Sequence, residues 1–232
     1  MVETITKQNL KKRPPIIVVL GHIDHGKTTL LDYIRKSHVA EKEEGGITQH
    51  IGAYEIEFND QKITFIDTPG HEAFSAMRQR GAKVADIALL VIDSVEGVKI
   101  QTKEALDHIK KVNLPMIVVL NKIDKQGANP IKVKQQLAEL GVLVEGFGGD
   151  IPVAEVSAKT GQGVNDLLEI ILLLAEMIEL KADYQKTAEG VVIESFLDKR
   201  RGPTATLLIR DGVLRKGDII ATPSAYAKVR IL

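Results

Sequence analysis

Ile16-Ile17-Val18-Val19-Leu20-Gly21-His22-Ile23-Asp24-His25-Gly26-Lys27-Thr28-Thr29 decides the fold. It opens on an unbroken apolar run rich in β-branched residues, which suits a strand buried on both faces of a parallel sheet. Gly21 to Thr28 then match the spacing G-x-x-x-x-G-K-[ST]. Glycines in such a loop let backbone N–H groups converge on phosphate oxygens, and a helix opening near Lys27 adds the positive end of its dipole. Asp24, His25, Gly26, Lys27, Thr28 and Thr29 are therefore candidate nucleotide-binding residues. The Lys27 ammonium reaches the β- and γ-phosphates and so serves catalysis as well, while the Thr28 hydroxyl is a candidate Mg²⁺ ligand. His22 and His25 also have the spacing of a metal pair, but inside a phosphate loop packing and support are the stronger reading.

Working outward, the runs 87–92 and 116–120 repeat the short, Val- and Ile-rich pattern of the first strand. Helical stretches are expected at 29–35, 102–111, 131–140 and 163–181, with a shorter strand at 152–156. Two more runs, 54–58 and 62–66, meet at Asn59-Asp60, a turn-forming pair, and read as a hairpin feeding the sheet. Strand–helix alternation predicts a doubly wound, mostly parallel α/β domain over residues 14–182. From 183 to 232 the helical period disappears. Four strand-like runs, 191–196, 204–209, 218–221 and 226–231, separated by Arg210-Asp211-Gly212 and Lys216-Gly217-Asp218, read as an incomplete β-barrel. An open barrel edge is an aggregation hazard, so the chain is expected to be a fragment of a longer protein.

Three further loops are expected at the carboxyl ends of strands, where the ligand sites of such sheets lie. Asp67-Thr68-Pro69-Gly70 follows the run 62–66; Asp67 is a candidate to hold Mg²⁺ through water, and the Gly70 N–H to approach a γ-phosphate. His71 comes next and is placed to orient an attacking water, which makes His71, Lys27 and Gly70 the catalytic candidates. Thr48, in Glu44-Gly45-Gly46-Ile47-Thr48-Gln49, is the candidate to complete the Mg²⁺ shell, its two preceding glycines allowing the loop to order and release. Asn121-Lys122-Ile123-Asp124 stands just past 116–120. Its Asp124 carboxylate matches the N1–H and exocyclic amine of guanine, a donor pair adenine lacks, which allows discrimination on the order of 10⁴. Asn121 is expected to tie this loop to the phosphate loop, and the Lys122 stem to cover the base. Ser157-Ala158-Lys159, after 152–156, offers a backbone N–H near Ala158 to the guanine oxygen.

Composition narrows the partners. The chain has 232 residues, with Lys+Arg and Asp+Glu at 31 each, so no bulk electrostatic pull toward DNA, RNA or a membrane exists. It has no cysteine, which excludes disulfides and thiolate metal sites and fits a reducing cytoplasm. Residues 1–13 carry Lys7, Lys11, Lys12 and Arg13 and no apolar signal-peptide core, and read as a polar tail. The most apolar late stretch, 167–180, is interrupted by Glu169, Glu176 and Glu179 and is too short to span a bilayer.

The phosphate loop together with Asp67-Thr68-Pro69-Gly70-His71 resembles that of the translational GTPases. Within them, Gly45-Gly46-Ile47-Thr48-Gln49-His50-Ile51-Gly52-Ala53-Tyr54 and Glu72-Ala73-Phe74-Ser75-Ala76-Met77-Arg78 closely resemble the family of bacterial translation initiation factor two. The likeness continues into Arg201-Gly202-Pro203-Thr204-Ala205-Thr206 and Gly212-Val213-Leu214-Arg215-Lys216-Gly217-Asp218, which look like part of that family's second domain. Elongation factor Tu shares the phosphate loop but typically differs over 48–54. The resemblance implies a P-loop GTPase fold and GTP/GDP with Mg²⁺, with Thr48 as the switch threonine, His71 as the catalytic histidine and a monovalent cation near Asp24. It also implies slow GTP hydrolysis stimulated by the ribosome during subunit joining. Initiator tRNA belongs to a C-terminal domain that this sequence lacks, so its binding is not assigned to the chain. Two other readings compete: a nucleotide-gated binding module with negligible hydrolysis, and the GTPase subunit of a sulfate-activating enzyme.

Overall fold

The structure, a computed structural model, describes residues 10–35, 52–67, 81–199 and 202–232. They divide into two compact units, one of residues 14–179 and one that joins the N-terminal segment to residues 180–232.

The first unit is built on a six-stranded sheet in the order β3-β4-β2-β5-β6-β7. Its strands are β2 (Ile16–Gly21), β3 (Gly52–Phe58), β4 (Gln61–Asp67), β5 (Ile87–Asp93), β6 (Met116–Asn121) and β7 (Val153–Glu155). All neighbours pair in parallel except β3 and β4, which form an antiparallel hairpin. Its turn, Asn59-Asp60, has positive φ at both residues (50° and 58°), the left-handed conformation that asparagine and aspartate tolerate best. Every residue of β2 and β5 is buried, as continuous Val/Ile/Leu runs require when helices cover both faces of a sheet. Among the described residues the longer helices are α1 (Lys27–Arg35), α2 (Ile100–Lys111), α3 (Pro130–Glu139) and α4 (Val164–Ile178). In α3 the Asn129 side chain accepts the Lys132 N–H at 3.0 Å and Pro130 occupies the first turn, so the start is set by sequence. Asp86 anchors the central strand from outside the sheet: its Oδ2 accepts the Ile16 N–H at 2.9 Å, and its own N–H donates to the Ile16 carbonyl at 2.7 Å.

In the second unit, β9 (Glu189–Asp198) and β10 (Gly202–Asp211) form one antiparallel hairpin, and β11 (Ile219–Ala221) and β12 (Tyr226–Lys228) another. The expected four strands are present. Among the described residues they pair as two separate hairpins, without closure into a barrel. The division between the units falls after Glu179 where 182 was the expected boundary, and residues 10–12 of the expected polar tail form a strand. β1 (Leu10–Lys12) pairs antiparallel with β8 (Lys181–Asp183), and the Arg13 N–H donates to the Leu180 carbonyl at 3.1 Å. A helix to residue 181 was expected because the apolar pattern runs on. It ends at Ile178 instead, because Glu179 adopts φ 55° and breaks the repeat.

Leu89 lies within β5 with no exposed surface. Leu89→Ala is expected to destabilise the chain by about 2–5 kcal/mol, read as a lowered urea midpoint with an unchanged denaturant slope; a loss below about 1 kcal/mol would contradict the packing described.

Candidate nucleotide-binding site

Because β2, β4, β5 and β6 run parallel, their carboxyl ends share one edge of the sheet. Val19 registers with Asp67, Gly21 with Val91, and Asp93 with Asn121, so the terminal Asp67, Asp93 and Asn121 all flank the loop that leaves β2. That loop turns tightly. A Cβ at Gly21, φ 145°, would fall on the Val91 carbonyl oxygen, and one at Gly26, φ 84°, on the Asn121 amide nitrogen, so both positions need glycine. Asp24 is held at φ 62° and is exposed. Lys27 is buried at the start of α1, where its Nζ donates to the His22 carbonyl at 2.8 Å. A tight glycine loop with an ammonium beside it is an arrangement suited to a polyphosphate. Thr28, beside Lys27, and Asp67, ending β4, are also buried and both offer oxygen atoms, the donor type that suits Mg²⁺. Thr29 is exposed on α1.

His25 is fully buried, its Nδ1 3.4 Å from the Val91 carbonyl oxygen and its ring 4.9 Å from that of His22, edge to face. Among the described residues its Nε2 has no hydrogen-bond partner. Burial first, and then the neighbouring His22, push its pKa down to about 4, so the ring is neutral near pH 7. Both histidines belong to the loop between β2 and α1, and each ring packs on the edge or face of the other.

Two side chains, those of Asn121 and Lys122, join the loop after β6 to the loop after β2. Asn121, 1% exposed, donates from Nδ2 to the His25 carbonyl at 2.9 Å and accepts the Ala158 N–H on Oδ1 at 3.0 Å. Lys122, φ 63°, donates to the Asp24 carbonyl and pairs with Asp93 Oδ2 at 2.6 Å. Asp124 is exposed and receives the Ser157 hydroxyl on Oδ1 at 2.7 Å, and the same hydroxyl oxygen accepts the Thr160 N–H at 3.1 Å. Lys159 projects from the surface of the same loop. The sheet edge thus brings together Asp24, His25, Gly26, Lys27, Thr28, Asp67, Asn121, Lys122, Asp124, Ser157 and Ala158. Thr48, Gly70 and His71 lie outside the described residues.

Two residues were missed from sequence. Asp93, 1% exposed, is the partner of Lys122. Gln101 sends Oε1 to the Ile23 N–H at 2.9 Å. The first had a readable signal, a carboxylate closing a wholly apolar strand; the second, a glutamine in a helical stretch, had none.

The histidine pKa gives a pH prediction. His25 binds its proton more weakly folded than unfolded, so its contribution is complete above about pH 6.5 and is lost as pH falls toward 4. The total is about 3 kcal/mol by linkage, and urea unfolding of His25→Phe should show an acid dependence flatter than wild type across that window. Parallel profiles would contradict a neutral buried ring.

Comparison with known proteins agrees with the geometry. The family model of the elongation factor Tu GTP binding domain matches residues 12–177, and that of elongation factor G domain 2 matches 187–232. Translation initiation factor IF-2 of Clostridium botulinum (strain Alaska E43 / Type E3) is 56% identical over 231 residues, covering 100% of this chain and 34% of that protein. IF-2 of Aquifex aeolicus is 57% identical over 224 residues, covering 96% of this chain and 28% of that protein. The chain therefore spans about a third of the length of the curated relatives it matches. Among solved structures, GDP-bound aIF5B from Aeropyrum pernix superposes with a TM-score of 0.73 at 37% identity, over 90% of this chain and 44% of that one. Bacterial selenocysteine-specific elongation factor EF-Sec gives 0.74 at 28% identity, over 94% and 38%. The chain belongs to the translational GTPases, the family of the elongation factor Tu GTP-binding domain, and its likeness is to the GTP-binding domain and part of the second domain of translation initiation factor IF-2.

Proposed function

We propose that the chain binds GTP and GDP with Mg²⁺ and hydrolyses GTP as a switch of translation initiation, acting on the ribosome as the subunits join. The observation that carries this reading is the Asn121 bridge, which ties the cradle at His25 to the base loop at Ala158. A phosphate site alone serves any nucleotide; a phosphate site fixed to a carboxylate on a purine loop selects guanine. In this reading the Asp124 carboxylate accepts from N1–H and the exocyclic amine, and the Ser157 hydroxyl holds it in register. The Ala158 backbone is oriented by Asn121 for the base, and the Lys122 stem covers the ring. The loop N–H groups from Asp24 to Thr29 and the Lys27 ammonium face the phosphates.

Thr28 and Asp67, joined by Thr48, would hold Mg²⁺, which would neutralise charge on the phosphates. The Gly70 N–H approaches the γ-phosphate and His71 orients the attacking water. A monovalent cation beside the exposed Asp24 belongs to the same proposal, as does a cytoplasmic location. Among the described residues no helix is long and apolar enough to cross a membrane. The ribosome is the proposed partner; initiator tRNA belongs to the proposal only for a longer protein that carries its binding domain. Unstimulated turnover is expected at about 10⁻⁴ to 10⁻² per second, as for GTPases without an activating surface.

Two substitutions test the roles. Asp124→Asn replaces an acceptor of two donors by an amide, leaving a guanine N–H unpaired, and should weaken GDP binding by about tenfold or more, while xanthosine diphosphate, which presents an oxygen there, gains; unchanged GDP affinity in calorimetry would remove Asp124 from the base site. His71→Ala should keep nucleotide affinity and lose ribosome-stimulated turnover by about 10²-fold or more, in single-turnover phosphate release. Full stimulation without the imidazole would sink its assignment.

A further inference from the structure

The connection from β5 into α2 is bracketed by two buried polar side chains, Asp93 and Gln101, that the nucleotide reading leaves without a task. Asp93 closes β5 with 1% of its surface exposed. Its Oδ1 accepts the N–H groups of Val95 at 2.7 Å and Glu96 at 3.3 Å, and its Oδ2 pairs with the Lys122 ammonium at 2.6 Å. That ammonium also donates to the Asp24 carbonyl. Burial, the largest single influence on Asp93, works to raise its pKa. The Lys122 hydrogen bond and the two N–H groups outweigh it and hold the carboxyl below its ordinary range, so the pair is ionic. Gln101, in the first turn of α2 and 6% exposed, takes the Ile23 N–H on Oε1 at 2.9 Å and also meets the His22 ring.

One connection therefore grips two consecutive residues of the phosphate loop. Gln101 takes the N–H that precedes Asp24, and Asp93, through Lys122, fixes the carbonyl that follows. Between these anchors lies the Asp24 N–H, whose direction is set by the peptide plane joining Ile23 to Asp24. Asp24 sits at φ 62°, in the left-handed region that aspartate enters more readily than most residues but that is still less favourable than right-handed or extended backbone. The loop has its own reason to relax, and the two anchors oppose it.

We infer that Asp93 and Gln101 are positioning residues that hold the Ile23-Asp24 segment in its phosphate-binding conformation, Asp93 through Lys122 and Gln101 directly, and thereby set how long a guanine nucleotide stays bound. Neither residue lies in the loops that face the nucleotide. The inference rests on the proposed guanine-nucleotide reading of the site and deepens it: the β5–α2 connection becomes a strut that controls release. A task confined to folding would lower stability and leave release unchanged, whereas a strut alters the dissociation rate of a protein that still melts near the wild-type temperature.

The test is release of N-methylanthraniloyl-GDP, with Mg²⁺ present, from the 232-residue chain. Asp93→Asn keeps the shape and an acceptor for the turn but removes the charge, and should speed dissociation about tenfold, the scale of one charge-assisted hydrogen bond. In a Lys122→Met background the same substitution should change nothing further, because its effect runs through that ammonium. Additive effects, or release at the wild-type rate, overturn the Asp93 arm. Gln101→Met, of similar volume, tests the other arm independently should Asp93→Asn fail to fold. It should speed release and exchange of the Ile23 amide hydrogen together, each by about tenfold, one neutral hydrogen bond being worth about that factor or less. A protected Ile23 amide with unchanged release overturns it. A wild type that takes up no labelled GDP overturns the nucleotide reading and this inference together; binding by wild type with unaltered release from both variants overturns the inference alone.

Discussion

The carboxamide of Asn121 is the interaction on which the site depends. It spends both ends on backbone, Nδ2 on the His25 carbonyl and Oδ1 on the Ala158 N–H, and it does so almost wholly out of water. Three loops separated by up to 133 residues in sequence (158 − 25) thus have one shared reference point. No residue of another type does this as well at the same length: aspartate has no donor for His25, leucine no polar atom for either loop. Loss of the amide would leave a buried carbonyl and a buried N–H without partners, each costing about 1–3 kcal/mol. Gly26 is part of the same arrangement, since any Cβ there would occupy the place of the Asn121 nitrogen.

Around this bridge, polar atoms are gathered at one edge of an otherwise apolar sheet. Lys27, Thr28, Asp67, Asp93, Asn121 and Ser157 are all buried, while the strands that carry or adjoin them bury little but Val, Ile, Leu and Ala. Burying so many hydrogen-bonding groups is unfavourable by itself, and left-handed backbone at Asp24 and Lys122 adds strain. The continuous cores of β2, β5 and β6 offset both. The division of labour is physical: the sheet interior supplies stability, and its carboxyl edge uses some of it to keep loops ready before a ligand arrives, which lowers the ordering cost of binding.

Much of this was legible in the sequence, for identifiable reasons. Strands buried on two faces admit almost only Val, Ile, Leu and Ala, so 16–20, 87–92 and 116–120 could hardly be anything else. Asn59-Asp60 named its hairpin because few other residues accept left-handed backbone twice in succession. That the loops after 16–20, 116–120 and 152–156 meet at one edge was readable because parallel strands put their carboxyl ends together; their roles toward phosphate and base belong to the proposed function. What escaped reading depends on pairing across distance. Leu10–Lys12 is short and basic, and nothing local announces that it adds to Lys181–Asp183. The end of α4 turned on Glu179, an ordinary helix former that here takes the left-handed conformation. Gln101 escaped because its role exists only toward Ile23, 78 residues away (101 − 23), whereas Asp93 left a local signal, a carboxylate closing an apolar strand, and only its partner Lys122 was out of reach. The switch residues Thr48, Gly70 and His71 remain readings of sequence and resemblance, outside the described residues.

The central claim is that one rim holds a phosphate cradle, oxygen ligands for Mg²⁺ and a guanine-selecting carboxylate in fixed register. Titration calorimetry of the chain with GDP and with ADP, in the presence of Mg²⁺, tests it most directly. The account predicts tight GDP binding and ADP weaker by on the order of 10⁴, both lost in the Asn121→Ala variant. Comparable affinity for the two nucleotides, or no heat from either, would contradict it.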